Sequence, residues 1–152
     1  MPRRRPILFL LMLLAGCTGV PEGVQPVTGF ELERYLGTWY EIARLPNSFE
    51  KGLKCVTAEY TLKSNGRVQV LNKGYSEKKG AFKSSKGRAW VPDETYPGRL
   101  KVSFFWPFWG DYWIIDLDPD YQWAVVGHPN RRYLWILSRQ ETLDEEVLSG
   151  IK

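Results

Sequence analysis

Reactive groups are few in this 152-residue chain: two cysteines, Cys17 and Cys55, and one histidine, His128. A thiol nucleophile needs a base or a lowered pKa, and His128 is the one imidazole that could serve Cys55. A second option for His128 is axial ligation of a tetrapyrrole. Plainer readings stand beside both: a solvated loop histidine, and a thiol that is buried, reactive or left without its disulfide partner. No cluster has metal-ligand spacing, and neither a Gly-rich phosphate loop nor a paired carboxylate site occurs. The sequence therefore assigns no catalytic residue, no metal and no cofactor.

The elements that must position these groups read as strands. Seven Trp, eight Tyr and seven Phe gather in short runs parted by Gly, Pro, Asn and Asp, as strands are parted by turns. The runs are 37–45, 55–62, 67–75, 81–91, 99–105, 112–118, 123–127 and 133–139. Ser64-Asn65-Gly66 has the chemistry of a tight hairpin, and Asp118-Pro119-Asp120 and Pro129-Asn130 that of breakers. Eight short strands without an intervening helix predict an all-β, eight-stranded antiparallel up-and-down barrel, whose closure removes the edges of an open sheet. Thr142 to Glu145 reads as a capping box, opening a C-terminal helix with Leu143, Val147 and Ile151 on one face. The chain stops about two turns later, so the expectation is that the natural fold continues past Lys152.

The first 17 residues form an address. Arg3, Arg4 and Arg5 precede an apolar run from Ile7 to Leu14, then Leu14-Ala15-Gly16-Cys17. The run is too short for a spanning helix, which takes roughly 20 apolar residues. Leu-Ala-Gly-Cys in this setting resembles the lipobox of bacterial lipoproteins. The resemblance implies cleavage before Cys17, acylation of Cys17 and a lipid anchor, with Thr18 in place of a retention Asp favouring the periplasmic side of the outer membrane. The leader takes three basic residues with it and leaves 18 Lys and Arg against 17 Asp and Glu. That balance gives nucleic acid no electrostatic hold. Residues 18–29, rich in Gly, Pro and Thr, read as a flexible tether, and 30–152 as a single domain.

Three blocks in that domain carry a second resemblance. Tyr35-Leu36-Gly37-Thr38-Trp39-Tyr40-Glu41-Ile42-Ala43, Asp118-Pro119-Asp120-Tyr121 and Leu134-Trp135-Ile136-Leu137-Ser138-Arg139 together resemble the three lipocalin motifs, in the branch of bacterial outer-membrane lipocalins, apolipoprotein D and temperature-induced lipocalins. In an up-and-down barrel rising from Gly37, all three blocks fall at one end. Trp39 then plugs a floor under the Arg139 guanidinium, so Gly37, Trp39, Asp120, Tyr121 and Arg139 are expected to be structural. The resemblance also implies that Cys55 matches a cysteine bonded to one beyond the terminal helix. Because some lipocalins are thiol isomerases, the Cys55-dependent enzyme stays open as an alternative, as does tetrapyrrole binding.

Alternation predicts the cavity lining: Ala58, Tyr60, Val70, Val102 and Phe104 on the earlier strands, and Ile114, Val126, Trp135 and Leu137 on the later ones. Trp113 and Ile115 fall on the outer face, available to the C-terminal helix. The open end receives loops 46–54, 76–80, 106–111 and 128–132. Trp106, Phe108 and Trp109 make one of these unusually apolar, either folded over the rim, gating the mouth or dipping into lipid. Arg131 and Arg132, with Lys51 and Lys54, add positive charge that is either a solvated face or a seat for an anionic headgroup. The reading is a non-enzymatic carrier or store for a fatty acid or lysophospholipid, with a homodimer left open. Since the tether enters the first strand at the floor, the mouth is expected to point away from the anchoring membrane unless the tether lets it turn.

Overall fold

The computed structural model describes residues 23–151; the expected lipidation site, Cys17, lies outside the described residues. A four-residue helix, α1 (Leu32–Tyr35), leads into β1 (Gly37–Arg44), β2 (Leu53–Leu62), β3 (Val68–Ser76) and β4 (Ala81–Trp90). The chain continues through β5 (Arg99–Phe105), β6 (Phe108–Leu117), β7 (Trp123–Gly127), β8 (Leu134–Ser138) and a short α2 (Glu145–Gly150). Each strand pairs antiparallel with the next and β1 closes on β8, with Tyr40 opposite Ser138 and Arg44 opposite Trp135. The result is the closed eight-stranded up-and-down barrel that the alternation predicts.

The turns follow their residue chemistry. Gly66, at φ +77°, lets the β2–β3 connection close as Lys63 N–H donates to Arg67 O (2.8 Å) and Gly66 N–H to Lys63 O (2.9 Å). At 118–122 the Asp118 carboxylate accepts from the backbone N–H groups of Asp120 (3.1 Å) and Gln122 (3.0 Å). Asp118, not Asp120, is thus the carboxylate that organises this turn.

Four expectations about the elements change. β6 starts at Phe108 rather than Tyr112, so 106–111 is not a long loop: Phe105 pairs with Phe108 and the Ser103 hydroxyl donates to Phe108 O (2.6 Å). Aromatic β-propensity prolongs β6 back to the tip. β2 begins at Leu53 and carries Cys55 (φ +50°) in a bulge. The cap of α2 is Asp144, whose carboxylate accepts from Glu146 N–H (2.8 Å), instead of Thr142, and no residue of α2 is buried. Trp113 carries the Arg99 guanidinium on its ring (4.9 Å).

The fourth change concerns the N-terminal arm. Val27 N–H donates to Ile114 O (2.8 Å), and a Cβ on Gly23 would stand 3.1 Å from the Arg131 guanidinium. Arg131 lies in the β7–β8 turn, at the open end. The arm therefore runs along the wall from the floor towards the mouth, and Gly23 emerges at the mouth.

The core fills the lower barrel. Tyr35, Trp39, Val68, Leu100, Ile114, Ala124 and Val126 have almost no exposure. Above them the strands diverge, and the β4–β5 seam is short: only Arg88–Ser103, Ala89–Val102 and Trp90–Lys101 face each other, whereas β3 and β4 pair from Val68–Ala89 to Ser76–Ala81.

Candidate functional site

The floor is built first, from the three blocks that the sequence places at one end. Trp39 is fully buried on β1, and its indole N–H donates to Tyr35 O (2.8 Å). The Arg139 guanidinium lies 3.8 Å from the indole centroid and donates to Thr38 O (2.9 Å), Arg34 O (2.8 Å) and Tyr121 O (3.3 Å). One planar cation thus satisfies three carbonyls that the chain leaves unpaired at the barrel end. Tyr121, at φ +58°, accepts from Glu31 N–H (2.9 Å) through its hydroxyl and holds the Arg34 guanidinium over its ring (4.1 Å). Gly37, at φ +93°, sits beside Arg139, where a Cβ would approach Nη1 to 3.4 Å.

Directly above stands a cluster that alternation alone does not reveal. The phenols of Tyr35 and Tyr60 both hydrogen-bond Tyr112 Oη, at 2.8 and 2.6 Å. Burial pushes all three up, Tyr60 to about 12, so each stays a neutral donor and acceptor across physiological pH. Tyr60 and Tyr112 border the base of a cavity of about 520 Å³, with Tyr35 behind them.

Of the predicted lining residues, Ala58, Tyr60, Val70, Val102, Phe104, Trp135 and Leu137 border this cavity. Ile114 and Val126 do not: both are fully buried in the packed core. They face each other across the β6–β7 pair, where the core around Trp39 and Leu100 already fills the barrel. The lining that sequence reasoning missed is mostly polar: Glu41, Glu50, Lys51, Asn72, Lys73, Lys83, Ser84, Ser85 and Tyr112. Alternation in β3 (Val68, Val70, Asn72) could have signalled Asn72, and the spacing of Glu41, Arg44 and Glu50 within ten residues the acidic pair.

Glu41 and Glu50 are held together by Arg44, which pairs with Glu41, donates to Glu50 O (3.1 Å) and Leu53 O (3.0 Å), and stands 4.0 Å from Glu50 Oε2. Glu50 Oε2 also accepts from the Trp135 indole (2.9 Å) and Asn47 Nδ2 (2.7 Å). Desolvation is the main cause that raises Glu41 to about 7, against the opposing pull of Arg44, while Glu50 adds to the rise. Two strands away, on β3, Asn72 Oδ1 is buried with no hydrogen-bond partner among the described residues.

At the mouth Phe49, Phe82, Phe105, Trp106, Phe108 and Trp109 are each more than half exposed. Phe105 and Phe108 stack (6.3 Å, 13°), and Arg88 and Lys101 lie over Trp106 (4.8 Å) and Trp109 (4.1 Å). The rim aromatics are therefore not folded into the barrel. Arg131 and Arg132 are exposed on the β7–β8 turn and are not part of the cavity lining. Cys55 is exposed and also outside the lining, as alternation from Val56 and Ala58 requires. The contacts of His128 run to Asn130 N–H (3.1 Å at Nδ1), Asp111 (3.7 Å at Nε2) and the Tyr133 ring. The two halves of the catalytic option are thus not brought together in the cavity.

A closed barrel plugged at one end and hollow at the other, with a wall apolar below and polar above, is a binding protein for one small amphiphile. The chain belongs to the lipocalin family: residues 30–152 match the lipocalin-like domain. It is 50% identical over 145 residues to the outer membrane lipoprotein Blc of Vibrio cholerae serotype O1, covering 93% of this chain and 85% of that protein. It is 42% identical to temperature-induced lipocalin-1 of Arabidopsis thaliana, covering 82% and 70%. Among solved structures, the cockroach allergen Per a 4 aligns with a TM-score of 0.68 at 29% identity, covering 85% of this chain and 80% of that one. The likeness to outer membrane lipoproteins, joined to the Leu14–Cys17 lipobox, locates the protein at the outer membrane through a lipid anchor.

Proposed function

We propose that this lipocalin holds one acyl lipid, a lysophospholipid or a fatty acid, and stores or carries it on the periplasmic side of the outer membrane. In this reading acylated Cys17 is the anchor, residues 18–29 lead from it with Val27 held against Ile114, and 30–152 are the binding domain. The supporting observation is the cavity: its roughly 520 Å³ falls within the roughly 300–1,000 Å³ of small-ligand sites. Ala58, Val70, Val102, Phe104 and Leu137 offer apolar surface to a chain, while Lys51, Lys73 and Lys83 border the same space above. Trp106, Phe108, Trp109, Arg131 and Arg132 surround the way in.

Asn72 favours the lysophospholipid. Its unpartnered buried oxygen needs a donor, and a buried acceptor left unmet costs about 1–3 kcal/mol. A glycerol hydroxyl supplies that donor; an ionised fatty acid has none. The test is the mass spectrum of lipid extracted from purified protein, with tryptophan-quenching titrations of both lipids into delipidated wild type and Asn72→Leu. Asn72→Leu should weaken lysophospholipid binding and spare fatty acid. Absence of extracted lipid together with flat titrations would sink the reading.

A further inference from the structure

The phenols at the base of the cavity hold one more proton than their contacts use. Tyr35, Tyr60 and Tyr112 carry three O–H donors, and two hydrogen bonds join them, Tyr35 with Tyr112 (2.8 Å) and Tyr60 with Tyr112 (2.6 Å). Each bond takes one proton, so whichever way the two bonds run, a third is left over. Burial raises all three phenols, which keeps that proton in place. Among the described residues, no carboxylate, amide or carbonyl oxygen accepts from any of the three.

Where the surplus proton rests follows from the surroundings of each ring. If Tyr112 donated to Tyr35, the surplus would fall on Tyr35, which is fully buried and outside the cavity lining. A buried donor without an acceptor is costly, so that arrangement is disfavoured. The two remaining arrangements leave the proton on Tyr60 or on Tyr112, and both residues border the cavity. We propose that this proton makes the base of the cavity a subsite for an uncharged acceptor oxygen, so that the protein takes acyl lipids bearing an oxo or hydroxyl group deep in the hydrocarbon. The inference rests on the acyl-lipid reading above and names the class of chain that the cavity selects.

The distribution of charge along the wall says why the oxygen is uncharged. Lys51, Lys73 and Lys83 border the upper part of the cavity. In the ladders, Val70 stands opposite Tyr60 and Gly74 opposite Lys83, and β3 rises about 14 Å between those two levels. A carboxylate seated on the phenols would be buried about that far below the Lys83 backbone, and an unpaired buried charge costs far more than a neutral oxygen. The headgroup therefore stays with the lysines, and the accepting oxygen lies well down the chain. Ala58, Val70, Val102 and Leu137 give the hydrocarbon apolar surface along the way. Asn72 lies at an intermediate level, opposite Ala58, and its unpartnered oxygen needs a donor. An oxo group only accepts, so it reads the phenols without serving Asn72.

The test uses delipidated protein and calorimetric titration of octadecanoic acid, its derivative with an oxo group past mid-chain, and the isomer with the oxo group near the carboxyl. Wild type is compared with Tyr60→Phe and with the triple variant Tyr35→Phe, Tyr60→Phe, Tyr112→Phe, which keeps every ring. From wild type to the triple variant, affinity for the deep-oxo chain relative to octadecanoic acid should fall about tenfold. Octadecanoic acid itself should bind the triple variant at least as well as wild type. Tyr60→Phe should retain the preference, because Tyr35 and Tyr112 still share two protons and one bond. The infrared carbonyl band of the bound deep-oxo group should lie lower in wild type than in the triple variant, as a hydrogen-bonded carbonyl does. An unchanged affinity ratio overturns the proposal, and so does an equal gain from the oxo group near the carboxyl. A wild-type band at the frequency of a free carbonyl overturns it without any variant. Failure of octadecanoic acid to bind wild type at all would instead sink the acyl-lipid reading, and this inference with it.

Discussion

At the scale of single residues, Arg139 carries more than its half-buried position just past β8 announces. Its guanidinium covers Trp39 and closes three backbone carbonyls at once. An ammonium cannot reproduce that fork. Arg139→Lys should therefore destabilise the fold by about 2–4 kcal/mol, read as a lower urea midpoint with the slope unchanged. Glu41 carries a different signature. Its carboxyl is raised from the ordinary 4.5 to about 7, chiefly by burial, so the folded state binds more protons than the unfolded chain between those values. Stability is then greatest below about 4.5 and falls as pH rises through 7. The melting midpoint should drop between pH 5 and pH 8, and Glu41→Gln should flatten that drop; an equal slope in both proteins would refute the assignment. The motif residues Trp39 and Arg139 were legible because their spacing puts them at one barrel end. The three phenols were not, since Tyr35, Tyr60 and Tyr112 stand on separate elements and are meaningful only together; Asn72 was within reach of alternation in β3, and Glu41 and Glu50 within reach of their spacing from Arg44.

Among the elements, the β4–β5 seam is where the barrel is thinnest, and Gly87 sits just above its last pair. A Cβ there would lie 2.8 Å from the Phe104 ring and 2.9 Å from Ser103 O. The ring can rotate away, but the backbone oxygen cannot without parting the strands. Gly87→Ala should cost about 1–3 kcal/mol, and amide exchange should accelerate in β4 and β5 before it does in β2 and β3. Strand number and order were readable from alternation and turn residues, because both are local. The extension of β6 back to Phe108 was not, since an apolar run in a turn and an apolar run in a strand have the same composition. Helix α1 was missed for a related reason: four residues carry too little periodicity.

For the molecule as a whole, the barrel divides its own interior into a filled floor and an open chamber. Anything that occupies the chamber only in the folded state must stabilise the fold by mass action. The melting midpoint of delipidated protein should rise steadily with added lysophospholipid above its dissociation constant. It should not rise in a variant whose chamber is filled, Ala58→Trp, which otherwise melts as a folded protein. A midpoint indifferent to lipid in the wild type would argue against occupancy of this chamber.

The sequence by itself determined the barrel, the family and the compartment. Alternation, turn residues, three spaced blocks and a leader are all written within short windows, and short windows suffice to specify them. The tertiary structure decided what the barrel contains and where its N-terminal arm runs. Ile114 and Val126 became core instead of lining because the depth of a residue in a closed barrel depends on shear and on what fills the floor. The arm that enters at the floor returns to the mouth because Val27 pairs with Ile114 and Gly23 meets Arg131, contacts across roughly ninety and one hundred residues of chain. Such distances are set only when the sheet closes, and no local pattern records them.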